Sequence, residues 1–136
     1  MAPSTIRVLI VDDFEPFRRF VRSLIEKRPE LQIVGETSDG LEVIQKVEQL
    51  KPDLILLDIG LPSVNGIEAG RQIRKVSPDS KILFVSLESS ADVVQEALQL
   101  GAQGYLLKAD AARELLPAVD AVLQGRQYLS RRLQGI

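Results

Sequence analysis

Five short stretches rich in Ile, Leu and Val recur along the chain, at Ile6 to Val11, Leu31 to Glu36, Leu54 to Leu57, Lys81 to Ser86 and Gly104 to Leu107. Ile6 to Val11 predicts a strand buried on both faces, Leu54 to Leu57 is apolar without interruption, and the remaining three are strand candidates. Apolar residues at helical spacing follow every one. Phe17, Phe20, Val21, Leu24 and Ile25 mark a helix over Glu15 to Arg28, with Asp13 as its expected cap, Pro16 tolerated in the first turn and Pro29 ending it. Leu41, Val43, Ile44, Val47 and Leu50 mark a second helix closed by Lys51-Pro52. Ile67, Ile73 and Val76 mark a third, capped by Asn65 and broken by Ser77-Pro78. Val93, Val94, Ala97, Leu98 and Leu100 mark a fourth ended by Gly101, and Leu115, Leu116, Val119, Val122 and Leu123 a fifth ended by Gly125. Strand and helix alternating five times predicts an α/β fold: one five-stranded parallel sheet with helices on both faces, because right-handed crossovers cover both sides. Pro117 falls inside the fifth helical pattern, which predicts a late start or a kink there. The segment SRRLQGI after Leu129 is short and polar and is expected to fray.

The chain of 136 residues suits one domain, and its 45 % apolar content supports a sizeable core. It holds no cysteine and no histidine. Disulfides, thiolate metal sites, His-ligated zinc or haem, Ser-His-Asp hydrolysis and Cys-His proteolysis are thereby excluded. A net charge of −2 leaves no footprint for nonspecific nucleic-acid binding. No apolar run approaches the ~20 residues of a membrane span, and the opening MAPSTIRVLIVDD lacks the order of a signal peptide. A cytoplasmic protein without membrane partners is expected.

The polar residues that stop the strands carry the chemistry. Asp12 and Asp13 follow the first strand, Asp58 the third and Lys108 the fifth, while Ser86 closes the fourth. Ligands of an open parallel sheet bind outside the carboxyl ends of its strands, so these residues converge on one edge. Taken singly, an Asp after a strand is a turn former or cap, a terminal Ser is structural and a Lys is a solvated charge. Taken together, three carboxylates in one cleft repel one another and call for a divalent cation, Mg²⁺ or Mn²⁺ for all-oxygen ligands. A carboxylate beside such an ion can attack a phosphoryl group whose oxygens a lysine and a hydroxyl hold.

VLIVDD, LILLDIGLPSVNGIE, ILFVS and GAQGYLLK, in that order, closely resemble the motifs of response-regulator receiver domains, over about residues 6 to 130. GLPSVNGIE, GAQGYLLKAD and the later GRQYLS are most similar to the NarL/FixJ subgroup, whose members usually carry a LuxR-type DNA-binding domain after the receiver. The resemblance implies a flavodoxin-like sheet of order 2-1-3-4-5 in a three-layer sandwich. It implies that Asp58 is the phosphoacceptor, with Asp13 as direct Mg²⁺ ligand, Asp12 acting mainly through water, and Gly60 giving its backbone carbonyl. Ser86 would be the switch hydroxyl, Lys108 the partner of the aspartate or its phosphate, and Tyr105 the aromatic that turns inward on activation; the alternative for Tyr105 is an amphipathic residue with its phenol in water. The partner implied is a sensor histidine kinase, and the product a reshaped face of the fourth helix, fifth strand and fifth helix. Homodimerisation is left open, and DNA contact would belong to an effector domain absent from this chain.

Residues 1–130 are thus expected to form the receiver, with 131–136 a tail or the start of a linker, in a receiver excised from a longer parent. Two departures from the family pattern stand out. Ala109 follows the lysine where many relatives have proline, leaving the isomer of that peptide open. Glu88, at the cleft rim, together with Gly60 would set the lifetime of the phosphoaspartate. Three rival functions are weaker. A haloacid-dehalogenase-type phosphohydrolase wants a second Asp at the Gly60 position. A flavodoxin-like cofactor binder wants a Ser/Thr/Gly-rich loop where this chain has DDFEPF. A binding module indifferent to phosphorylation would not need the complete residue set. A switch, rather than a turnover enzyme, is expected.

Overall fold

The computed structural model describes residues 5–134. Its elements run β1 (Ile6–Val11), α1 (Glu15–Ile25), β2 (Leu31–Thr37), α2 (Gly40–Leu50), β3 (Leu54–Leu57), α3 (Gly66–Val76), β4 (Lys81–Ser86), α4 (Ala91–Gln99), β5 (Gly104–Leu107), α5 (Ala111–Leu123) and β6 (Tyr128–Leu129). Single 3₁₀ turns occupy Lys108–Asp110 and Arg131–Leu133. The sheet is parallel throughout, in the order β2-β1-β3-β4-β5-β6.

Alternate residues of the central strands supply two separate cores, which is why these strands are apolar without interruption. Leu9, Val11, Ile55, Leu57, Ile82, Phe84, Tyr105 and Leu107 pack with residues of α2, α3 and α4 on one face. Val8, Ile10, Leu54, Leu56, Leu83, Val85 and Leu106 pack with residues of α1 and α5 on the other. The three-layer arrangement and the five helices match expectation.

Four expectations are corrected. The sheet has six strands, not five: Tyr128 and Leu129 pair with Gly104 and Tyr105 on the outer edge of β5. A two-residue strand has no periodicity to read, and only the presence of β5 makes it one. The segment after Leu129 does not fray as far as Gln134, since Ser130 is fully buried and Leu133 nearly so; Gly135 and Ile136 lie outside the described residues. Pro117 does not delay α5, which runs unbroken from Ala111 to Leu123. The ring sits on the exposed side, and the Arg113 carbonyl that loses its partner belongs to an exposed residue that water can reach. Finally, Asp13 does not cap α1. The cap position is Phe14, whose N–H bonds the Asp12 Oδ1 at 2.8 Å.

Other helix signals act as expected. Asn65 Oδ1 accepts the Glu68 N–H at 3.0 Å. Lys51 closes α2 in the left-handed region at φ 48°, and Gly101 follows α4 at φ 105°, where an L side chain would be strained. The described backbone contains no cis peptide, so the Lys108–Ala109 bond is trans.

Candidate functional site

The ends of β1, β3, β4 and β5 open into a cleft of about 750 Å³ whose walls include Asp13, Asp58, Gly60, Ser86, Glu88 and Lys108. One ligand oxygen each from Asp12, Asp13 and Asp58 lie within 4.8 Å of one another. Asp12 and Asp58 are buried and Asp13 is exposed. The three acids come together because β1 and β3 are adjacent, with Val11 paired to Leu57 and the Asp58 N–H bonded to the Val11 carbonyl at 2.9 Å.

Lys108 Nζ reaches across from β5, 2.7 Å from Asp12 Oδ2 and 3.3 Å from Asp58 Oδ2. Its stem is nearly buried, and the ammonium stands 4.6 Å from the centroid of the Phe17 ring, a cation–π contact that holds it from below. Asp58 Oδ1 accepts the Ile59 N–H at 2.8 Å and, weakly, the Gly60 N–H at 3.5 Å. Burial, then the neighbouring Asp12 charge, push the Asp58 carboxyl above the ordinary range, and Lys108 opposes both. Three carboxylates and one ammonium leave the cluster with a net charge of about −2 when ionised, which a hard divalent cation would balance. The donor set of carboxylate oxygens beside an open-sided Gly60 fits Mg²⁺ or Mn²⁺: nothing lies within 4 Å of where a Gly60 Cβ would stand.

Across the cleft, Ser86 is buried and its hydroxyl accepts the Glu88 N–H at 3.1 Å. Glu88 itself is exposed at the rim, with its carboxylate accepting the Ser90 N–H at 3.1 Å. Tyr105 is fully buried, and its hydroxyl donates to the Glu88 carbonyl at 2.7 Å. The phenol is therefore not held in water. Burial raises its pKa to about 12, which keeps it neutral and a donor.

All the residues expected at this edge are thus gathered there. Sequence reasoning missed three that serve them. Phe17 reads only as one more apolar residue on a helix face. Arg18 donates to the Asp12 carbonyl at 2.6 Å, with no sequence signal for it. At Gly66, a Cβ would stand 2.0 Å from the Asp58 carbonyl oxygen, so only glycine lets α3 begin against the strand end; the Asn-Gly pair before an apolar helix was the available signal.

The model of the response regulator receiver domain matches residues 8–120. The chain belongs to the response regulator receiver domain family. Among curated proteins, this receiver is 40 % identical to the transcriptional regulatory protein DegU of Brevibacillus brevis over 124 residues, covering 91 % of this chain and 52 % of DegU. It is 39 % identical to the nitrate/nitrite response regulator protein NarL of Escherichia coli K12 over 131 residues, covering 96 % of this chain and 60 % of NarL. The chain therefore spans little more than half the length of these relatives. A LuxR-family two-component response regulator from Aurantimonas sp. SI85-9A1 superposes with a TM-score of 0.90 at 35 % identity, covering 96 % of this chain and 93 % of the other. The response regulator domain of Thermotoga maritima CheB gives 0.74 at 34 %, covering 89 % and 92 %. The receiver has the flavodoxin-like fold of its family, and its relatives are LuxR/NarL-type response regulators.

Proposed function

We propose that this receiver takes a phosphoryl group onto Asp58 from the phosphohistidine of a sensor kinase and holds it as a signal. The observation that carries this is the Lys108 ammonium set between Asp12 and Asp58, at 2.7 and 3.3 Å, in a cleft that Ser86 also lines. An Asp58 oxygen forms the new O–P bond as the N–P bond breaks, and the electron pair leaves on the imidazole nitrogen. Lys108 then has a phosphoryl oxygen to pair with, and Ser86 can turn its hydroxyl from the Glu88 N–H to another. Asp13 and Asp58, with the Gly60 carbonyl and Asp12 through water, would hold Mg²⁺, or Mn²⁺ in its place. When bound, that ion supplies positive charge opposite the developing negative charge on the phosphoryl oxygens.

Movement of Ser86 loosens the loop whose Glu88 carbonyl holds the Tyr105 hydroxyl, and the face of α4, β5 and α5 shifts with it. This is a local charge change biasing a two-state element. Glu88 and Gly60, at the mouth, control water access and so the lifetime of the phosphoaspartate. The receiver works in the cytoplasm and controls a DNA-binding effector domain in a longer parent, with dimerisation as one route. It is a switch that loads and unloads itself, not a turnover enzyme.

Acetyl phosphate with Mg²⁺ tests this. One phosphoryl group is expected per chain, lost in Asp58→Asn. Uptake by that variant at the wild-type rate, or rapid turnover of small phosphate esters by the wild type, overturns it.

A further inference from the structure

The final described residues are tied to β5, the strand that leads into Lys108, and to the start of α5. The Ser130 N–H donates to the Tyr105 carbonyl at 3.0 Å, continuing the β5–β6 ladder by one bond. β6 ends at Leu129, so the next donor of β5, the Leu107 N–H, has no strand carbonyl to meet. It meets the Ser130 hydroxyl, at 2.7 Å, in a site where Ser130 is fully buried. Two more ties follow on the far side of Lys108. Arg132 Nε lies 3.0 Å from Asp110 Oδ1, and Asp110 is buried with its other oxygen unpartnered. Glu114 Oε1 accepts the Tyr128 hydroxyl at 2.5 Å and the Arg131 N–H at 3.2 Å. Residues 128–132 thus hold the chain on both sides of Lys108, through the Leu107 N–H before it and the Asp110 and Glu114 side chains after it.

We propose that Ser130, supported by Arg132, is a positioning residue for phosphoryl transfer: its hydroxyl fixes the Leu107–Lys108 backbone so that the Lys108 ammonium stays against Asp58. This rests on the function proposed above. A lysine ends in a point charge on a flexible four-carbon stem, so the ammonium is only as well placed as its backbone root. Removing the Ser130 hydroxyl leaves a buried N–H without an acceptor. The strand end relieves that by turning toward water, and the Lys108 root turns with it. The carboxylates are rooted elsewhere. The Asp12 N–H bonds the Thr37 carbonyl at 3.1 Å, and the Asp58 N–H bonds the Val11 carbonyl at 2.9 Å. Loss of the Ser130 hydroxyl therefore leaves the metal-holding acids in place, and an ammonium drawn away from Asp12 and Asp58 competes less with a cation, whereas phosphoryl transfer loses its lysine.

The experiment measures the rate of phosphoryl uptake from acetyl phosphate at saturating Mg²⁺, together with Mg²⁺ affinity, in the full chain. Ser130→Ala is expected to slow uptake by about fivefold or more, short of the roughly 100-fold that an ångström of misplacement can cost, with Mg²⁺ affinity equal to or above that of the wild type. In a Lys108→Ala background the same substitution is expected to add nothing, because it acts through the lysine. Unchanged uptake in Ser130→Ala overturns the proposal. So does slowing that persists in full without Lys108, or that tracks a loss of Mg²⁺ affinity, since either marks a general structural defect. If Ser130→Ala does not fold, Arg132→Gln carries the test: its guanidinium is exposed, and the same pattern at smaller amplitude is expected, whereas wild-type uptake refutes the proposal. A wild-type chain that takes up no phosphoryl group removes the proposed function and this inference together, while an active wild type with an equal Ser130→Ala removes only the inference.

Discussion

Replacing Asp58 by Asn should make this receiver more stable, not less, when divalent cations are absent. At an effective dielectric of 20, the Asp12 carboxylate, no farther than 4.8 Å away, costs an ionised Asp58 about 3.5 kcal/mol. Asp13 is exposed and adds only about 1 kcal/mol through water-like screening. Lys108, at 3.3 Å, returns about 5 kcal/mol. These contributions nearly cancel, which leaves the desolvation of a buried carboxylate to decide the sign. Its effective size is several kcal/mol per ion, reduced here by the Ile59 N–H bonded to Oδ1. Asparagine keeps the volume, can keep that bond and carries no charge. A gain of about 2 kcal/mol follows, or roughly 6–8 °C in Tm for a domain of this size. The pH dependence fixes the mechanism. The folded carboxyl titrates above its unfolded value, so ionised Asp58 penalises the fold above its folded pKa, and the penalty disappears as pH falls below about 4. The gain should shrink accordingly. Urea titrations in chelator at pH 7.5 and at pH 4, followed by far-UV circular dichroism, measure both. Mg²⁺ at 100 times its Kd should stabilise the wild type by about 2.7 kcal/mol and close the gap. An Asn variant less stable than wild type in chelator, or a gain equal at both pH values, would refute the reasoning.

Lys108→Met leaves Asp12 and Asp58 facing each other without a cation; unfolding in chelator should show a loss of about 3–5 kcal/mol, largely restored by Mg²⁺. Gly66→Ala drives a Cβ to 2.0 Å from the Asp58 carbonyl oxygen, a backbone clash that cannot be relieved by a rotamer, so about 3 kcal/mol of stability and most phosphoryl uptake should be lost. Tyr105 and Tyr128 both have pKa values raised to about 12, first by burial, so phenolate absorbance should not rise in the folded chain at pH 10 but should do so in urea. Since only the unfolded chain then ionises, stability should fall as pH climbs from about 10 to 12, where the folded phenols also titrate.

The alternation of uninterrupted apolar runs with helical periods fixes a doubly wound parallel sheet, because a strand buried on both faces has only one kind of surroundings. The same pattern places Asp12, Asp13, Asp58, Ser86 and Lys108, since a polar residue that stops such a strand must sit at the rim. Every one of these was legible without coordinates. Tertiary structure decided what rests on contacts between distant segments. Tyr128 and Leu129 become a strand only against β5, and Ser130 turns from a polar tail residue into the acceptor for Leu107. Phe17 looks like ordinary helix core until Lys108 is laid over its ring. Local periodicity records which face of an element is apolar; it carries no record of which remote backbone group an edge segment will satisfy. That is why the acidic edge with its lysine could be read from the residues, while the segment that ties the strand behind Lys108 appeared only in the fold.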